Sequence, residues 1–151
     1  MKKLLVPVLF LLLMFSCNQV DKNPEFNILG YWNLAELTNS WTNETVIGEE
    51  LDFTERYIFN GDGTFIKTST IAKGQGETAA IPDQALGLFE LIPSDDSGYI
   101  FKVILTYDTN VHMAANCSEG NQEFMFITGD KKLTNMTSAA CDGPVFVYTK
   151  K

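Results

Sequence analysis

Histidine is nearly missing from this chain: His112 is the only one in 151 residues. Imidazole is the usual acid-base group near neutral pH and the commonest metal ligand. With a single copy, set in a polar stretch, neither role has much to build on. Met113 beside it and Cys117 five places on would suit a soft metal, but a solvated loop histidine is the plainer expectation, and an oxidised Cys117 has no thiolate to offer. No metal and no cofactor is expected. The chain also lacks a G-x-S-x-G elbow and any oxyanion-hole pattern, which removes the basis for a Ser-His-Asp hydrolase. Asn60-Gly61-Asp62-Gly63-Thr64 opens like a calcium loop, yet the downstream bidentate acid is missing, because its position falls on Ile71-Ala72. The acids Glu49, Glu50, Asp52, Glu55, Asp95 and Asp96 stand in turns and strand margins, where charge usually makes a solvated face and not a catalytic pair. The expectation is a protein that is not an enzyme and has no catalytic residue.

Basic residues are scarce as well: 11 Lys and Arg against 19 Asp and Glu give a net charge of -8. Such a surface repels phosphate backbones, so nucleic-acid binding is not expected. Long apolar runs are limited to one, Leu4 to Met14, behind the basic Met1-Lys2-Lys3. At well under the roughly 20 apolar residues needed to cross a bilayer, it reads as a secretory leader covering residues 1–16. Loss of Lys2 and Lys3 with that leader would take two positive charges from -8 and leave -10. The leader ends in Met14-Phe15-Ser16-Cys17, which resembles a bacterial lipobox. That resemblance implies a lipidated Cys17, membrane attachment through the lipid, and a place in the cell envelope, at the outer membrane. Each buried methylene of an acyl chain contributes about 0.8 kcal/mol, so several chains would hold the protein on the membrane without help from the fold. Residues 17–26 are polar with Pro24 and read as a tether, and 27–151 as one domain.

A long 3.6-residue apolar period is absent too, and strand and turn signals dominate, so the class is all-β. Ile28 to Thr38 and Leu51 to Phe59 read as strands; Asn60 to Gly63 turns the second into Thr64 to Ile71 as a hairpin. Leu86 to Ile92 and Tyr99 to Thr106 flank the turn cluster Pro93 to Gly98. Gln122 to Thr128, Lys131 to Thr137 and Pro144 to Lys150 close the series. Ala72 to Ala85 and Tyr107 to Asn121 are the long connections, and either could be a lid. About eight strands is the count of a small antiparallel up-and-down barrel. Phe101, Val103 and Leu105 share one strand face; Ile100, Lys102 and Ile104 share the other, wetter one.

Two features on the strands bear on how such a barrel closes. Trp32 on the first strand can plug one end, while Gly30 on the same face lets a neighbour come close. Cys117 and Cys141 are an even pair once Cys17 is assigned to lipid. If Thr128 faces Lys131, Cys117 falls opposite Asp142, next to Cys141, which favours a disulfide over two free thiols.

Gly30-Tyr31-Trp32, the hairpin from Tyr57 to Phe65, Gly87-Leu88-Phe89-Glu90-Leu91 and the closing Phe146-Val147-Tyr148-Thr149-Lys150 together resemble the small lipocalin-like lipoproteins of Bacteroidetes-type bacteria, over about residues 28–151. The resemblance implies an eight-stranded barrel with an apolar interior, and Lys150 in the place of the basic residue that packs over the tryptophan. It also implies that Tyr57, Phe65, Phe89, Phe101, Val103, Phe124 and Phe126 face the interior, where they either fill it or line a site for a small hydrophobic or amphipathic ligand. The other reading is a solid barrel whose loops bind a protein.

Overall fold

Asn60-Gly61-Asp62-Gly63 reverses the chain as its glycines predict, with Gly63 at a φ of 84° and the Asp62 carboxylate accepting the Thr64 N–H and hydroxyl at 3.0 and 2.7 Å. This hairpin joins two of nine strands in the computed structural model, which describes residues 26–71, 78–117 and 120–151. Among those residues the strands are β1 (Gly30–Thr38), β2 (Thr45–Ile47), β3 (Glu55–Phe59), β4 (Thr64–Ile71), β5 (Thr78–Pro93), β6 (Tyr99–Tyr107), β7 (Gln122–Thr128), β8 (Leu133–Asn135) and β9 (Val145–Lys150). The expected leader and Cys17 lie outside the described residues.

Neighbouring strands from β3 to β9 pair antiparallel in chain order, and β1 pairs with both β3 and β9, closing the sheet. The result is an eight-stranded barrel with β2 as an extra strand. Along one edge, β1 gives Gly30 to Asn33 to β3 and Glu36 to Thr38 to β2, so the short extra strand pairs where β3 has left off.

Some expected boundaries move. Leu51 to Thr54 precede β3 and are not part of it, and Thr45–Ile47 form a strand between the first two expected ones, where none was expected. The connection expected over Ala72 to Ala85 is strand from Thr78 onward. Its sequence hides this because Pro82 cannot donate to a ladder. The ladder is irregular there: Ser69 faces Asp83, and the next pair is Ile71 with Thr78. Pro82 therefore falls within the break.

The interior is sorted by alternation. Tyr57 and Phe59 on β3, Phe65 on β4, Val103, Leu105 and Tyr107 on β6, Met125 and Ile127 on β7, Leu133 on β8 and Phe146 and Tyr148 on β9 form one buried cluster with Trp32. Trp32 is fully buried, and its indole N–H donates to the Ile28 carbonyl at 2.7 Å. Phe26, stacked on Phe101 at 5.5 Å, closes over it. Lys150 lies beside Trp32 in the ladder, with its stem near Gly30 and its ammonium donating to the Asn27 carbonyl.

Gly87 faces inward between Phe65 of β4 and Tyr107 of β6, whose rings meet edge to face at 5.0 Å. A β-carbon there would lie 2.1 Å from the Thr106 carbonyl oxygen and 2.7 Å from the Phe65 ring.

Two substitutions test this packing by urea denaturation. Trp32→Ala should cost about 3 to 5 kcal/mol, the range for truncating a buried aromatic, whereas Trp41→Ala, at a residue 72% exposed, should barely move the midpoint. Equal small losses at both would remove Trp32 as a plug. Gly87→Ala, a smaller side chain than most core changes involve, should still cost about 1 to 3 kcal/mol, because the methyl meets backbone that cannot turn aside.

Candidate functional site

The inward face of β4 reads Phe65, Lys67, Ser69, so the alternation that buries a phenylalanine buries a lysine two places on. The same rule turns Glu55 inward beside Tyr57 on β3, and Glu123 inward beside Met125 on β7. Three ionisable side chains thus meet inside one end of the barrel. Lys67 Nζ lies 3.3 Å from Glu55 Oε1 and 3.6 Å from Glu123 Oε2, and donates to the Met113 carbonyl at 2.9 Å.

Neutral donors satisfy the carboxylates further. Glu123 accepts the Tyr57 hydroxyl at 2.7 Å, the Asn135 amide at 2.6 Å, the Tyr107 hydroxyl and the Ala115 N–H. Glu55 accepts the Tyr148 hydroxyl at 2.5 Å. Burying charge costs several kcal/mol per ion unless it is paired and hydrogen-bonded, and these contacts supply that compensation. Burial presses the Lys67 pKa down, but the Glu123 and Glu55 carboxylates outweigh it and hold the ammonium above its ordinary value. Burial first, and then the same carboxylate charges, push the Tyr57, Tyr107 and Tyr148 hydroxyls well above theirs.

Above this cluster lies a cavity of about 490 Å³ lined by Glu55, Lys67, Ser69, Ile71, Asp83, His112, Met113, Ala114, Ala115 and Phe146. The segment after β6 roofs it, and the roof is held by its backbone: Met113 accepts from Lys67, while Ala115 donates to Glu123 and accepts from Asn135 at 3.3 Å. The expectation of a lid in Tyr107 to Asn121 thus has a structural counterpart that is tied down. His112, at the rim, stands 3.9 Å from Asp83.

Beyond the roof, Cys117 is disulfide-bonded to Cys141, with Cα atoms 5.7 Å apart. The bond is as expected, but the register is not the reason: Phe126 faces Thr134 and Ile127 faces Leu133, one residue off the expected pairing, and the ladder stops at Asn135. A 3-10 turn at Thr137–Cys141 brings Cys141 to its partner.

The residues expected to face the interior divide into three groups. Tyr57, Phe65 and Val103 are fully buried there, and Phe89 and Phe101 are half-buried against the same core. Phe124 and Phe126 are corrected: Glu123, Met125 and Ile127 take the inward positions of β7, so the two phenylalanines point outward, Phe124 beneath the Lys102 ammonium and Phe126 against Tyr99. None of the seven lines the cavity. Glu55, expected on a solvated face, is instead buried. Lys67, Glu123, Tyr107, Tyr148 and Asn135 were not anticipated, although the alternation Phe65-Lys67-Ser69 carried the signal. Among the described residues no three His, Cys, Asp or Glu come together as a metal site.

The tyrosines set an alkaline limit to stability. A hydroxyl whose folded pKa is raised contributes stability that is complete below its unfolded value, about 10, and is lost as pH climbs through the folded value. Lys67, also raised, acts in the same sense. Unfolding free energies from urea denaturation between pH 8 and 11.5 should therefore hold steady and then fall, by about 1.4 kcal/mol per pH unit for each group still protonated. Tyr107→Phe should shallow the fall, and a flat profile would contradict the buried hydroxyls.

Compared with family models, with curated proteins and with solved structures, the chain finds no match in any of the three.

Proposed function

We propose that this chain is a lipid-anchored protein of the cell envelope, similar to lipocalin-like lipoproteins, that holds a small amphipathic molecule in its barrel. The observation that carries this reading is the cavity of about 490 Å³ at the end opposite Trp32. That volume lies in the range of small-molecule sites. Its lining combines Ile71, Met113, Ala114 and Phe146 with the polar groups of Glu55, Lys67, Ser69, Asp83 and His112, which suits a ligand with an apolar body and one polar group better than a wholly hydrophobic one.

Aromatic rings fill the other half of the barrel, among them Trp32, Phe59, Phe65 and Phe89. Those rings supply stability, so the ligand is confined to the charged end. A solid barrel acting only through its loops would not require a polar hollow above a buried ion cluster, and on this ground binding of a small molecule is preferred.

Cys17→Ser, expressed in the native host, tests anchor and cavity together. The variant should move from the membrane pellet to the soluble envelope fraction, and native mass spectrometry of it should find a retained small mass released on denaturation. Retention in the pellet would remove the anchor, and a bare mass with a co-purifying protein would favour the loop-binding alternative.

A further inference from the structure

We infer that the cavity selects a cationic head group, an ammonium on an apolar stem. This rests on the cavity being the binding site proposed above, and deepens it by naming the ligand class.

The buried lysine invites the opposite expectation, that Lys67 receives an anion such as a carboxylate. Its own contacts oppose this. An ammonium has three N–H donors, and three acceptors already surround Lys67: Glu55 Oε1, Glu123 Oε2 and the Met113 carbonyl. An incoming anion would have to displace one of them and then sit beside two carboxylates.

The charge balance points the same way. Glu55, Glu123 and Asp83 stand in or directly behind the lining against Lys67 alone, and protonation of His112 would still leave three negative charges to two positive. Like charge brought into a poorly solvated site is costly, and opposite charge is favoured.

One acceptor is also open. The Glu55 side chain is 6% exposed and lines the cavity. Its Oε1 takes both Tyr148 and Lys67, whereas its Oε2 has no hydrogen-bond partner among the described residues. A ligand ammonium donating to Oε2 would fill that position. Ser69, directly across the ladder from Glu55, adds to the same lining a hydroxyl oxygen that accepts the Ile71 N–H at 3.2 Å, and Ile71, Met113 and Phe146 offer the apolar wall for the stem.

Isothermal titration of the full chain at neutral pH with n-octylammonium, octanoate and 1-octanol separates the possibilities, since the three probes share a stem and differ in head group. The ammonium should bind at least about tenfold more tightly than either other probe, a difference of about 1.4 kcal/mol. Glu55→Gln keeps the shape and an acceptor for Tyr148, and should abolish the preference. Asp83→Asn, at the exposed rim, should weaken it without disturbing the buried cluster, so the result does not depend on Glu55→Gln folding. If octanoate or octanol binds as well as the ammonium, the cation inference fails and the cavity reading stands. If none of the three binds, both fail. Unchanged ammonium affinity in a folded Glu55→Gln protein would overturn the role of Glu55.

Discussion

Lys67 carries a charge into the barrel, and much of the architecture around it follows from the need to keep that charge partnered. An unpaired buried ammonium would cost several kcal/mol, so β3 and β7 must each turn a glutamate inward at the right height. Those glutamates in turn require donors, drawn from Tyr57, Tyr107, Tyr148, Asn135 and the Ala115 N–H. Residues from β3, β4, β6, β7, β8, β9 and the roof therefore meet at one cluster. A register slip of one residue in any of these strands would send its member to solvent and strand the others, so the cluster specifies the closed barrel as well as stabilising it.

The aromatic half works by shape. Trp32 plugs the far end, Phe26 and Phe101 cover it, and Gly87 leaves room for the Phe65 and Tyr107 rings to meet. Tyr57 and Tyr107 belong to both halves: their rings pack below, and their hydroxyls reach the carboxylate above. The same side chains thus end the oily layer and begin the polar one.

What could be read from the sequence was whatever depends on local pattern. The Asn60 to Gly63 turn, the inward set of β6 and the all-β class follow from glycine geometry and period-2 alternation. The β-barrel itself required only the strand count. The site was harder to see, because polarity in a strand ordinarily marks the outward face: Glu55 and Lys67 look solvated until their mutual pairing is known, and that pairing is a matter of register between strands. Phe124 and Phe126 misled for the mirror reason. Their aromatic bulk suggests the interior, but Glu123, bound to groups from five other segments, holds the inward position and leaves the phenylalanines outside. Pro82 likewise hid the first half of β5, since only the ladder irregularity shows why a proline is tolerated there.

The roof has one covalently fixed side. Its Cys117 end is bonded to Cys141, its middle is pinned by three hydrogen bonds of its backbone to the buried cluster, and its start is tied to β5 by Thr109 and Asn110, with His112 3.9 Å from Asp83 beside them. The roof is therefore held at its start, its middle and its end, and His112 and Asp83 stand on its β5 side next to Ile71 in the cavity lining. That side of the cavity thus carries a carboxylate on one element and an imidazole on another, so its local charge is set by two side chains that lie outside the buried cluster.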